Sequence, residues 1–327
     1  MKHTTPLLAT TAALLTMFAS PDSKAEEFTY PYQPYNEGKM APQTSGWPLT
    51  PEATEYLAKG AHERRPGSES GKQQIAYLPY TPVADGSGNP NWYIAAHEKL
   101  LASLDRFKAE HGPDIDVLLV GDSITWQWLD IRAPYDQYPQ QFNEAWKANF
   151  ADLKAVTIGV AGDKSQGLLW RLDHMGATGT KLPPLKPKVV VLAIGHNNMY
   201  FSRETGVDNA AKGVLWSAKN LRSKFPDSLI IVSKIFPNKT PGDAFYKDAV
   251  AINAELDKLI PAENDPKMIL QPDLWSKMTN EDGTVKPEYF RADEPPNNKI
   301  HLSVDGYRLW AETLKPLIAP AVSKPKS

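Results

Sequence analysis

Apolar and polar positions along this chain change their spacing at about residue 93. From there the segment WYIAAHEKLLASLDRFKAEHG carries apolar residues at helical intervals and stops at a Gly-Pro pair. Five short, nearly continuous, β-branched apolar runs follow: DVLLVG (116–121), KAVTIG (154–159), KVVVLAIG (188–195), LIIVSKI (229–235) and KMILQ (267–271). Amphipathic helical segments lie between most of them. Continuous runs mark strands buried on both faces, and strands that alternate with helices pair in parallel. The pattern therefore predicts an α/β protein, a three-layer α/β/α sandwich with a central parallel sheet of about five strands.

Upstream of residue 93 the pattern differs. Residues 26–92 are rich in Tyr, Pro, Gly and polar side chains, with one short helical stretch near 51–60. We expect an extended arm packed on the core, because its aromatic rings need burial; a flexible linker is the alternative. Ahead of it, MKHTTPLLATTAALLTMFASPDSKA has a basic start (Lys2, His3), an apolar stretch over 6–19 and a small-x-small pattern at Ser23-Lys24-Ala25. These are the marks of a secretory signal peptide cut after Ala25, and the stretch is short and threonine-interrupted for a membrane anchor. The expected organisation is a signal peptide at 1–25, an N-terminal arm at 26–92 and the core domain at 93–327. The mature chain is then exported, periplasmic or secreted, with no membrane association after signal cleavage.

Composition narrows the partners. With 41% hydrophobic and 23% charged residues the chain can build a sizeable core. The 36 basic and 38 acidic residues form no long single-sign run, which argues against nucleic acid as a partner, since phosphate binding rewards a concentrated basic face. The absence of cysteine excludes disulfides, thiolate nucleophiles and Cys-ligated zinc. The HNN and DEPPNN clusters lack a convincing metal set and there is no H-E-x-x-H pairing, so neither metal nor cofactor is expected.

Ligands of parallel sheets bind at the carboxyl ends of the strands, which directs attention to the residues just after each run. The first run ends in GDSITWQW, which places Ser123 on a tight strand-to-helix turn; taken alone, a serine there is more commonly a helix N-cap. The second ends in GVAGDKSQGLLWRL, where Gly159 and Gly162 let the backbone approach a ligand or simply make a turn. The third ends in AIGHNNMY, where Asn197 offers a side-chain amide or forms an Asx turn, and His196 reads as a loop residue. His301 precedes the final helix in IHLSVDGYRLWAETLKPLI. A serine, two donors and a histidine converging on one sheet edge are the parts of acyl transfer.

With these segments in order, the chain resembles the SGNH (GDSL-type) hydrolase family. VGDSITWQW, IGVAGDKSQGLLWRL, KPKVVVLAIGHNN and HLSVDGY match the family's four characteristic stretches. The resemblance spans about Trp92 to Pro316. It is nearest the branch of platelet-activating factor acetylhydrolase catalytic subunits and bacterial carbohydrate acetylesterases. The resemblance implies a flavodoxin-like fold and gives Ser123 the role of nucleophile. It implies an oxyanion hole from the N–H groups of Ser123 and Gly162 with the Asn197 side chain, and it makes His301 the general base.

One position departs from the family pattern. The family usually has aspartate three residues before the histidine, and this chain has Asn298. An amide can accept from the imidazole Nδ1–H but brings no charge to stabilise the imidazolium. Three readings stay open: Asn298 holds the ring, Asp293 or Glu294 from RADEPPNN reaches it instead, or the site only binds.

The expected function is an exported serine esterase that cleaves small acyl esters, acetyl above all, on an acetylated saccharide or another small ester, through an acyl-serine intermediate. The alternatives are a non-catalytic carbohydrate-binding protein on the same scaffold and a lipid esterase. Trp126, Trp128 and Tyr200 are candidate substrate-binding residues, in a group with Tyr135, Tyr138 and Phe201, because flat rings stack on sugar faces; packing between helices is the alternative use of such rings.

Overall fold

The computed structural model describes residues 91–129, 133–173, 182–201, 206–295 and 299–323. The expected signal peptide, residues 26–90 of the expected arm and Asn298 lie outside the described residues.

The chain enters through helix α1 (Asn91–His111), which ends at Gly112 in a left-handed conformation (φ 74°). Five strands follow, β1 (Asp114–Gly121), β2 (Ala155–Thr157), β3 (Lys186–Ala193), β4 (Leu229–Val232) and β5 (Met268–Leu270). They form one sheet in the order β2-β1-β3-β4-β5, parallel throughout. All five apolar runs therefore became strands. Three of them are trimmed by two or three residues at the carboxyl end: Ile158-Gly159, Ile194-Gly195 and Ser233 to Ile235 leave the ladder as loops, whereas β1 keeps its run to Gly121. Those loops carry the side chains discussed below.

Alternate strand residues face two cores. Leu118, Val120, Val190, Leu192, Ile230 and Val232 pack on one face with residues of α1, α4 (Ser165–Asp173), α6 (Gly206–Lys224) and α7 (Ala244–Ala262). Val117, Leu119, Val189, Val191 and Ile231 pack on the other with α3 (Glu144–Phe150) and α9 (Val304–Val322). The continuous apolar runs are explained by this burial on both sides, each large side chain contributing about 1.5–3 kcal/mol. Two one-turn helices complete the frame around the site, α2 (Ser123–Trp126) after β1 and α5 (Asn198–Phe201) after β3; a third, α8 (Trp275–Met278), follows β5. No helix among the described residues is long and apolar enough to cross a membrane.

Candidate active site

Ser123 stands where β1 ends and α2 begins. The preceding Asp122 caps that helix, its Oδ1 accepting from the Ile124 N–H at 2.9 Å, so the cap role belongs to Asp122 and leaves the Ser123 hydroxyl for other use. The hydroxyl lies 2.9 Å from His301 Nε2. His301 is presented by the next helix junction: Leu302 is buried and bridges to Phe290, and Ser303 caps α9 through the Gly306 N–H.

The other ring nitrogen of His301 is 2.5 Å from Glu294 Oε1. Glu294 Oε2 accepts the backbone N–H groups of Ile300 (2.7 Å) and His301 (3.0 Å). Both carboxylate oxygens are thus engaged within a short loop. Burial pushes the Glu294 carboxyl up, but the hydrogen bonds from the His301 ring and the two amides outweigh it and hold the group below the ordinary glutamate range. Asp293, the other acid considered for this place, instead forms an ion pair with Arg291 through both Nε (2.9 Å) and Nη2.

Three loops meet beside Ser123. Asn197 donates from Nδ2 to the Asp163 carbonyl at 2.8 Å and has a longer 3.4 Å contact to Asp122 Oδ2. Gly162, directly before Asp163, is exposed and sits at φ 71°, a conformation that favours glycine. Gly159 permits a close approach: a Cβ there would lie 2.4 Å from the Trp126 nitrogen of α2. Asn198 ties the second and third loops together. Its Oδ1 accepts from the Ser165 N–H (3.0 Å), and its Nδ2 donates to Ser165 Oγ (3.0 Å) and Gln166 Oε1 (2.9 Å).

Beneath these loops lies a buried ion pair. Arg171 of α4 donates to Asp163 Oδ2 from Nε (2.9 Å) and Nη2 (2.7 Å), to the Ile158 carbonyl (2.8 Å) and to the Gly121 carbonyl (3.3 Å). It bolts the ends of β1 and β2 to the loop bearing Gly162. Truncating it removes both donors from the buried Asp163 Oδ2, so Arg171→Met is expected to lower stability by about 3–5 kcal/mol, read as a fall in chemical-denaturation midpoint.

Asp122 carries a second consequence. Burial pushes its carboxyl up to about 7, against the lowering effects of the Ile124 N–H and His301. Because the folded value lies above the unfolded one, the stability due to the neutral form is present at low pH and is lost as pH rises through about 7. Asp122→Asn keeps the Ile124 cap and cannot ionise. The melting temperature of this variant relative to the parent is expected to rise from pH 5 to about pH 7 and to stay level from there upward, as followed by circular dichroism. A flat difference contradicts the assignment.

Not every candidate residue reaches the site. Trp128 is fully buried, its ring against Trp146, Tyr307 and Trp310, and Trp126 is 5% exposed and packs on Tyr135. Neither ring can stack on a substrate, which corrects the sequence expectation: Trp126 at the end of α2 and Trp128 in the turn after it are each taken up by packing. Tyr138 bonds Glu110 of α1, away from Ser123. Tyr135 has a different use, since its hydroxyl accepts the Ala161 N–H at 3.0 Å beside Gly162. The side chains of Tyr200 and Phe201 lie outside the described residues. His196 is 3% exposed, 3.2 Å from Asn238 Nδ2 through its Nε2, and burial pushes it down to about 3, which makes it a very weak base.

Sequence reading did not find Arg171, Asp163 or Asn198. A charged residue on the apolar run LLWRL was the available signal for Arg171, and its partner eight residues earlier could be found only in three dimensions.

The model of the GDSL-like Lipase/Acylhydrolase family matches residues 119–309, more than half of the chain. The platelet-activating factor acetylhydrolase IB subunit beta homolog of Drosophila melanogaster is 29% identical over 179 residues, 55% of this chain and 67% of that protein. The subunit alpha2 of Rattus norvegicus is 25% identical over 244 residues, 72% of this chain and 91% of that protein. Among solved structures, a carbohydrate esterase family 3 protein from Talaromyces cellulolyticus aligns at a TM-score of 0.41 and 15% identity, over 65% of this chain and 100% of the other. With the family match spanning the loops that bear Ser123, Gly162, Asn197 and His301, the chain belongs to the GDSL-like lipase/acylhydrolase family of esterase-type hydrolases.

Proposed function

We propose that this protein is an exported serine esterase that removes small acyl groups, acetyl foremost, from carbohydrate. The observation that carries the reading is the unbroken line from Ser123 Oγ through His301 to the Glu294 carboxylate, at 2.9 and 2.5 Å. A serine aligned on a histidine whose other nitrogen meets a carboxylate is built to lose its proton during attack on a carbonyl.

In this reading His301 Nε2 takes the Ser123 proton as Oγ bonds the ester carbon, and Glu294 holds the ring and stabilises the imidazolium. The tetrahedral oxyanion is met by the N–H groups of Ser123 and Gly162 and by Asn197 Nδ2. One Asn197 hydrogen is anchored on the Asp163 carbonyl, so the amide is fixed while the hydrogen on the long Asp122 contact is the one offered to substrate. The C–O bond to the alcohol breaks as His301 returns the proton, leaving acyl-Ser123. Water deprotonated by His301 then attacks the acyl carbon and releases the acid.

The acetyl preference is supported by relatives named as acetylhydrolases. Export is supported by the N-terminal signal-like segment. The saccharide reading rests on the sequence resemblance, since Trp126 and Trp128 have been removed from the mouth. The test is acetate release by the mature protein from acetylated xylan and from p-nitrophenyl acetate, beside fluorophosphonate labelling with the modified residue identified by mass spectrometry. Label on Ser123 with turnover of both substrates is expected. Turnover of p-nitrophenyl acetate alone removes the saccharide; no label at all returns the protein to a binding role.

A further inference from the structure

The acid that meets His301 stands seven residues before it, whereas the family's usual acid stands three before. A carboxylate that far along the chain reaches the ring only if the intervening loop folds back and stays folded. Backbone bonding closes the loop at its base, where the Arg291 N–H donates to the His301 carbonyl at 3.0 Å and Phe290 bridges Leu302. The turn itself brings two carbonyl oxygens, those of Arg291 and Glu294, toward one point. Converging carbonyls repel and, out of water, need a donor between them.

Lys299 supplies it. The residue is 6% exposed, and its Nζ donates to the Arg291 carbonyl at 2.5 Å and to the Glu294 carbonyl at 2.6 Å. An ammonium group has three donors on one small centre and suits this use; lysine is rarely buried without such partners. The neighbouring cation, Arg291, pairs with Asp293, which withdraws that acid from the ring and leaves Glu294 to it.

We propose that Lys299 is a positioning residue: its buried ammonium clamps the 291–294 turn so that Glu294 delivers its carboxylate to His301. The inference rests on the catalytic reading above only for its kinetic consequence. The clamp has no contact with Ser123 or with the oxyanion donors among the described bonds, so it acts through Glu294.

The test compares Lys299→Met, Lys299→Arg, Glu294→Gln and the Lys299→Met/Glu294→Gln pair. Lys299→Met is expected to lower kcat on p-nitrophenyl acetate about 10- to 100-fold with KM within about twofold, and Lys299→Arg to recover most of it. In the Glu294→Gln background the same methionine substitution is expected to change kcat by less than about threefold, because the group it positions is already gone. A downfield proton resonance of the His301 Nδ1–H is expected in the parent and is expected to vanish in Lys299→Met while the far-ultraviolet circular dichroism is unchanged. Independent, multiplying effects in the pair, or a retained resonance in Lys299→Met, overturn the proposal. If the parent protein neither turns over esters nor takes the fluorophosphonate label, the esterase reading fails, and the resonance alone still decides whether Lys299 sets the Glu294 to His301 contact. Should Lys299→Met not fold, the arginine variant decides: its resonance and kcat are expected near those of the parent, and loss of both in a folded protein refutes a clamp that needs only a cation donor.

Discussion

Ser123→Ala is expected to reduce kcat on p-nitrophenyl acetate by roughly 10⁵-fold or more, about 7 kcal/mol of barrier, with the folded state undisturbed. Removing Oγ abolishes the acyl-enzyme route altogether, because nothing else on the described loops pairs a nucleophile with His301. What remains is water attack assisted by the oxyanion donors, which a backbone-preserving substitution leaves in place. The fold is expected to survive because α2 is capped by Asp122 and not by the serine. Ser123→Ala should therefore melt within a degree or two of the parent, an order-of-magnitude expectation for a partly exposed hydroxyl. Acetate release measured beside a thermal melt checks both halves, and activity above about one per cent of the parent in a folded variant contradicts the nucleophile assignment.

Glu294→Gln is expected to lower kcat by about 10²- to 10⁴-fold, a range topped by the exchange of a triad aspartate for asparagine in serine proteases. The physical reason is a count of acceptors. One carboxylate oxygen receives the His301 ring and the other receives the Ile300 and His301 amides, all donors. Glutamine has a single acceptor oxygen. In either orientation its NH₂ group faces a donor: turned to the ring it forces the wrong tautomer, and turned to the backbone it opens the loop. The lost charge adds to this by withdrawing stabilisation of the imidazolium. KM should change little, since Glu294 touches His301 and not the acyl carbonyl. An effect smaller than about fivefold contradicts Glu294 as the supporting acid and returns the role to Asn298.

Much of the framework was legible in the linear pattern, for reasons that can be named. Strands buried on both faces must be apolar without alternation, so the five runs announced a parallel sheet with helices on each side, the C-terminal-edge rule then pointed to Ser123, Gly162 and Asn197, and the histidine ahead of the final helix, His301, completed the set. Ends of elements were less legible. The apolar runs continue into Ile158, Ile194 and Ile235, which are buried in the core although they have left the ladder; burial, not strand geometry, is what hydrophobicity reports.

The aromatic residues failed for a related reason. Trp126 and Trp128 lie close to the nucleophile in sequence, but Trp126, at the end of α2, packs with Leu100 and Val160, and Trp128, just past it, packs among Trp146, Tyr307 and Trp310, so neighbourhood along the chain did not become neighbourhood at the mouth. A polar face would have been needed to tell a stacking platform from a core plug, and an indole looks the same in both.

By itself, then, the sequence determined the layered fold, the residues offered at the strand ends and the fact that the usual acid position holds asparagine. Which acid serves His301 was decided only in three dimensions. Asp293 and Glu294 are adjacent, equally charged and only one residue apart in their distance along the chain from the ring. The choice between them comes from Arg291 pairing with the first, and from a folded-back turn, with Lys299 on its carbonyls, that brings two backbone amides and an imidazole around the second. Those contacts join residues through space and through the backbone, where no pattern of side-chain types along the chain records them.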